Sequence, residues 1–106
     1  MSLREAQQAV DQWVGQFEEG YFPPLANVTR LAEEVGELAR EVNHQFGPKP
    51  KKPDEESGSM AMELADILFV VICIANSQRI DLDDAFARMM AKVTSRDAGR
   101  WTRKAR

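Results

Sequence analysis

Apolar residues recur along this chain at helical intervals. Leu3, Ala6, Val10, Trp13, Val14 and Phe17 fall on one side of a 3.6-residue repeat, which predicts a first helix from about Leu3 to Glu19. Ser2 followed by Glu5 is a capping-box pattern at its start; Gly20 stops it, and Pro23-Pro24 bars its continuation. Val28, Leu31, Val35, Leu38 and Val42 alternate in steps of three and four. They predict a second helix, from about Leu25 to Gln45, with a heptad-like seam that packs against other helices. A third helix runs from about Met60 to Gln78. A fourth follows Asp81, an N-cap candidate, and carries Leu82, Ala85, Phe86, Met89, Met90 and Val93. No alternating strand pattern and no internal repeat interrupts this series. The predicted class is all-α, one domain over residues 1–106 with a four-helix bundle-like core.

Two stretches depart from simple amphipathicity. Gly47 to Ser59 holds three prolines, three lysines and two glycines, and reads as a mobile polar loop. Ile67 to Ala75 is apolar on every side, and a helix apolar all round must be buried all round. A 106-residue chain has only a modest core with which to do that. Part of the third helix is therefore expected to face another subunit, in a closed symmetric assembly.

Composition narrows the function. The net charge of −3 argues against broad binding of nucleic-acid backbone, which needs clustered positive charge. Cationic residues gather only near the end, at Arg96, Arg100, Arg103, Lys104 and Arg106, in a basic tail over 97–106 that reads as solvated. Cys73 is the single cysteine, which rules out an internal disulfide and fits a small core residue in a reducing, cytoplasmic setting. Met1 to Glu19 lacks the apolar centre of a signal peptide, and the run Ile67–Ala75 is shorter than the ~20 residues that span a bilayer, so no membrane partner is expected.

The chemistry lies in the acids. Glu33-Glu34-x-x-Glu37 falls on the second helix and Glu63-x-x-Asp66 on the third. Residues three apart share a helix face, so Glu34 pairs with Glu37, and Glu63 with Asp66. Both pairs border apolar packing positions. If the helices lie side by side, four carboxylates converge in a partly buried place, where they repel one another unless a cation compensates. All-oxygen ligands suit Mg²⁺, with Mn²⁺ as a substitute, rather than zinc. Glu-rich helices are commonly just solvated faces, and Arg40 offers Glu37 and Glu41 local pairing; Glu63-x-x-Asp66 differs because it leads straight into an apolar run. A di-iron bundle needs repeated Glu-x-x-His. Only Glu41 and His44 have that spacing, so di-iron is set aside and His44 reads as a helix-end residue.

This pattern resembles the E-E-x-x-E…E-x-x-D signature of MazG-like nucleotide pyrophosphohydrolases, with 25 residues between the two motifs. The likeness extends over Arg30–Val42, Glu63–Asn76 and Asp81–Arg96, most of the chain. It implies an all-α fold and Mg²⁺-dependent hydrolysis of a nucleoside triphosphate to monophosphate and pyrophosphate, with removal of non-standard nucleotides as a possible use. By resemblance, Glu34, Glu37, Glu63 and Asp66 are metal ligands, and Glu33 orients or deprotonates the attacking water. Lys92 and Arg96, one helical turn apart, meet the phosphates, and Asn76 contacts the nucleoside. Trp13, Phe17 and Phe22 are either core aromatics or a base-stacking wall. Asn27 and Arg30 are candidates to line the pocket, and Lys49, Lys51 and Lys52 either close over phosphates or belong to a solvated linker. Many relatives carry a second acid just before the E-x-x-D glutamate, where this chain has Met62; the four ligands are unaffected.

Two competing readings remain at this stage. One is a non-enzymatic helical oligomer that binds a nucleotide or a protein. The other is a relative within the wider superfamily that hydrolyses dUTP or phosphoribosyl-ATP.

Overall fold

In a computed structural model of the chain, which describes residues 1–48 and 59–105, four helices follow one another: α1 (Leu3–Val14), α2 (Pro24–Phe46), α3 (Met60–Ser77) and α4 (Leu82–Asp97). No strand occurs among the described residues. Lys49, Lys51, Lys52 and the greater part of the predicted loop lie outside them.

Local chemistry sets the ends. Ser2 Oγ accepts from Glu5 N and Glu5 Oε1 accepts from Ser2 N, both at 3.0 Å, completing the capping box that the sequence spelled out. Ser59 Oγ accepts from Met62 N at the start of α3, and Asp81 Oδ1 accepts from the backbones of Asp83 and Asp84 at the start of α4. The first helix is shorter than its apolar stripe predicts. Gly15 takes the cap position, a residue that costs ~1 kcal/mol inside a helix. Beyond it Gln16 and Phe17 bond back to Trp13 and Val14 in tight turns. Gly20 then adopts φ 61°, a left-handed turn that glycine takes without strain.

α3 is the central element and packs against both α2 and α1. Among the described residues the buried apolar ones, Val70, Ile72, Cys73 and Ala75, all belong to it. By length and composition α3 is apolar enough to cross a membrane, but it carries Glu63 and Asp66 and packs against two other helices.

The face that α2 turns inward is not the seam its valines suggest. Asn27, Leu31, Glu34, Leu38 and Glu41 are buried or half-buried, whereas Val28, Val35 and Val42 are exposed. The expected seam keeps its leucines, Leu31 and Leu38, on the inward side, but its valines, spaced by sevens, give way there to Asn27, Glu34 and Glu41. α4 docks mainly on α1. Arg4 bonds Asp81 at 2.7 Å and the Arg4 backbone donates to Asp83, while Gln7 accepts from Leu82 N and donates to Ile80 O. The helices of one chain thus spread out. The radius of gyration is 17.8 Å, against about 13 Å for a compact chain of this length.

Candidate active site

Turning the polar stripe of α2 inward sets its acids against the first two turns of α3. Carboxylate oxygens of Glu34, Glu37 and Glu63 all lie within 4.8 Å of one another. Asp66, one turn beyond Glu63, is half-buried and acts on both Glu34 and Glu63 through its charge, without joining that close set. Glu33 points to solvent on the neighbouring face of α2 and influences Glu34 only weakly.

The cluster is electrostatically unsettled. Loss of solvent, and then the charges of Glu37 and Asp66, push the carboxyl groups of both Glu34 and Glu63 above the ordinary range. Arg30, one turn before Glu34, opposes this in part. Glu34 Oε2 and Glu63 Oε2 are sealed from solvent and lack a hydrogen-bond partner among the described residues. Buried carboxylate oxygens are almost always satisfied. A protein fold gains nothing by packing three acids together with lone pairs empty, so the arrangement suits a cation.

Beside the acids, the segment between α1 and α2 encloses a cavity of about 360 Å³. Trp13, Phe17, Tyr21, Phe22, Asn27 and Arg30 line it, with Phe69 and Cys73 contributed by α3. The aromatics are not core residues: Trp13, Phe17 and Phe22 are each about half exposed. Trp13 and Phe17 meet edge to face at 5.0 Å, and the Arg30 guanidinium sits 5.3 Å from the Phe22 ring centroid. Asn27 is 1% exposed. Its Nδ2 donates to the Phe22 carbonyl, which fixes the amide's orientation, and its Oδ1 has no partner among the described residues.

Asn76 belongs to a different assembly. Its Oδ1 accepts from Gln7 Nε2 at 2.8 Å, and its Nδ2 donates to Gln7 O and to the Tyr21 hydroxyl. Tyr21 in turn donates to Asp11 Oδ1 at 2.6 Å. Burial first, then the bond to Asp11, pushes the Tyr21 phenol up to about 12. This clasp ties α1 to the end of α3, and sequence reasoning overlooked Gln7, Asp11 and Tyr21. The available signal was Gln7, a polar residue on the same helical face as Leu3 and Val10. Lys92 and Arg96 are exposed on the far part of α4, where Arg96 pairs with Asp97 at 3.3 Å. Since α4 docks mainly on α1, the chain does not gather these cations with its acids.

The sequence likeness to known proteins follows the same lines. The chain is 54% identical over 103 residues to the uncharacterized protein YpjD of Bacillus subtilis strain 168, covering 97% of this chain and 93% of that one. The crystal structure of YpjD from Bacillus subtilis superposes with a TM-score of 0.78 at 53% identity, over 87% of this chain and 94% of that one. A Bacillus-conserved MazG protein, described as a nucleotide pyrophosphohydrolase, superposes with a TM-score of 0.77 at 48% identity, over 92% and 94% of the two chains. Residues 22–101, which include both acidic motifs, match the MazG nucleotide pyrophosphohydrolase domain. The chain belongs to that family, all-α hydrolases acting on nucleotides.

Proposed function

We propose that the chain hydrolyses a nucleoside triphosphate, ribo or deoxy, to the monophosphate and pyrophosphate, in a reaction that needs Mg²⁺ or Mn²⁺, and that non-standard nucleotides are among its substrates. The observation that carries this is the pair of sealed, partnerless oxygens on Glu34 and Glu63, facing Glu37 and adjoining an aromatic cavity. Glu34, Glu37 and Glu63 would hold the cation, with Asp66 as fourth acid. When bound, the ion neutralises phosphate charge and makes a water more acidic. Glu33, on the solvent side, is assigned to orienting or deprotonating that water. Trp13 and Phe22 offer the base flat apolar surfaces, and Asn27 offers it a hydrogen-bond acceptor. Asn76, engaged by Gln7 and Tyr21, holds the cavity wall from behind.

Lys92 and Arg96 are assigned to the phosphates, and from their place on α4 we infer that they serve the acids of a second copy. The exposed apolar residues support such an assembly. Val28, Val35, Leu64 and Leu68 on the α2–α3 pair, and Phe86, Met89 and Met90 on α4, are left open by a single chain. A homodimer or homotetramer would cover them. Mixing two inactive variants, Glu34→Gln and Arg96→Ala, under subunit exchange should restore activity in the hybrid. No recovery from an exchanged mixture argues that the cations act within one chain, or not at all.

The primary test is pyrophosphate release from a panel of ribo- and deoxynucleoside triphosphates, with Mg²⁺ or Mn²⁺ and with EDTA. Release that EDTA abolishes is expected. A chain that binds nucleotides but releases nothing from any of them is a binding module, and the enzymatic reading fails.

A further inference from the structure

Arg30 stands where the aromatic cavity meets the acidic cluster. It lines the cavity beside Trp13 and Asn27, and it is the only cation along that lining. It is also one helical turn before Glu34, close enough for its charge to act on that carboxylate. Its guanidinium lies over the Phe22 ring at 5.3 Å, and among the described residues no carboxylate meets it at ion-pair distance. A half-buried guanidinium held by a ring face and left without a contacting anion is a built receptor for one. Its fixed fork of donors matches a phosphate. The sealed Asn27 amide oxygen, also partnerless and on the same helix face, independently marks this cavity as one that awaits a ligand.

The order of groups along a nucleotide then decides which phosphate Arg30 meets. With the base in the cavity and the bond to be cut at the acids, the group that reaches the acids from the cavity side, past Arg30, is the phosphate attached to the sugar. We propose that Arg30 holds the phosphate that stays on the nucleoside, so that cavity and Arg30 together recognise the nucleoside monophosphate as a unit. The proposal rests on the function set out above. It separates Arg30 from Lys92 and Arg96, which are assigned to the phosphates that leave.

The test is a binding titration of the intact chain with Mg²⁺ present, followed through the fluorescence of Trp13 in a Trp101→Phe background. The probes are deoxynucleoside monophosphates of the four common bases, the matching nucleosides, and pyrophosphate. The parent chain should prefer each monophosphate that it binds over its nucleoside by roughly tenfold or more, the worth of one charge-assisted hydrogen bond. Arg30→Gln should erase that preference while leaving nucleoside and pyrophosphate affinities in place, and Arg30→Lys should recover part of it. A residue that merely shaped the cavity would weaken nucleoside and monophosphate alike. That result, an unchanged preference in Arg30→Gln, or no preference in the parent chain, overturns the proposal. Pyrophosphate release by the parent chain is measured separately. Release with an unchanged Arg30→Gln preference sinks only the role of Arg30; absence of release sinks the hydrolase reading, and the binding preference still decides Arg30.

Discussion

Two half-buried polar clusters lie near opposite ends of α3, and they differ in whether the chain satisfies them. Near the end, Asn76, Gln7, Tyr21 and Asp11 meet one another's donors and acceptors at 2.6–3.0 Å. Near the start, Glu34, Glu37 and Glu63 bring like charges within 4.8 Å and leave two buried oxygens without partners. The first cluster stabilises the fold, because each polar group taken from water finds another in its place. The second costs stability for as long as its charges stand uncompensated. Burial and polarity are common to both clusters; what distinguishes the one proposed to act on substrate is that its acids are left unsatisfied.

The comparison breaks most visibly at the acids. Glu34→Gln or Glu63→Gln should lower kcat/KM by about 100-fold or more, since even residues that only support a metal ligand commonly cost 10–100-fold. The same variants should melt at a higher temperature than the parent chain in EDTA, because a neutral amide ends the repulsion. Steady-state kinetics and thermal melts read these two effects, and calorimetric titration reads Mg²⁺ affinity. A variant that keeps its Mg²⁺ affinity and turnover, or that melts lower in EDTA, would show that the acids are structural after all.

At the satisfied cluster the signs reverse. Asn76→Ala removes three bonds, two to Gln7 and one to Tyr21, while the Gln7 side chain keeps Ile80 O and Leu82 N, at a cost of ~1–3 kcal/mol. For a domain of this size that lowers Tm by roughly 4–8 °C per kcal/mol. The folded fraction should keep its Mg²⁺ affinity and most of its turnover. If Asn76→Ala instead abolishes activity with no loss of Tm, Asn76 touches substrate directly and the contrast between the two clusters fails.

The sequence carried these two clusters unequally. The acids were legible because i, i+3 spacing places carboxylates on one face whatever the helix packs against. The inward face of α2 was harder to read. Hydrophobicity alone selects Val28, Leu31, Val35, Leu38 and Val42, yet the acids converge only if Leu31 and Leu38 turn toward α3 together with Asn27, Glu34 and Glu41 in place of the valines. The two stripes share Leu31 and Leu38 and differ in which neighbours turn in with them, and the sequence already held both options. The end of α1 was misjudged because the apolar stripe continues through Phe17 although Gly15 already ends the helix. The clasp was not legible, since Gln7 and Asn76 are 69 residues apart and meet only through the packing of α1 on α3.

Acidity sharpens the contrast further. Glu34 and Glu63 hold protons more tightly in the metal-free folded state than in the unfolded chain, where the ordinary value is 4.5. Groups of this kind stabilise the fold below the unfolded value, and that contribution is lost as pH rises through the folded one. The melting advantage of Glu34→Gln in EDTA should therefore be small near pH 4 and grow toward neutrality, a change smaller than the two effects above. Saturating Mg²⁺ should reverse it, since only the charged carboxylate binds the ion. An advantage in EDTA that does not change with pH would mean that the substitution acts through packing and not through charge.

The finest division falls on Tyr21, which touches both regions: its hydroxyl belongs to the clasp and its ring lines the cavity. With the phenol pushed up to about 12 by burial and by the bond to Asp11, the hydroxyl stays protonated throughout the neutral range and donates to Asp11 while accepting from Asn76. Tyr21→Phe removes both bonds and keeps the ring. Asp11 is exposed and water can replace its partner, and Asn76 Nδ2 retains Gln7 O. The cost should thus sit at the low end for lost hydrogen bonds, ~0.5–1 kcal/mol, a few degrees in Tm. Because stacking needs only the ring, KM for a nucleoside triphosphate should stay within about twofold, which is far below the ~1.4 kcal/mol that a tenfold change represents. Melting curves and steady-state kinetics on one preparation decide the matter. A large rise in KM with an unmoved Tm would place the hydroxyl in the substrate site, and the clasp would then be an extension of the catalytic region and not its opposite.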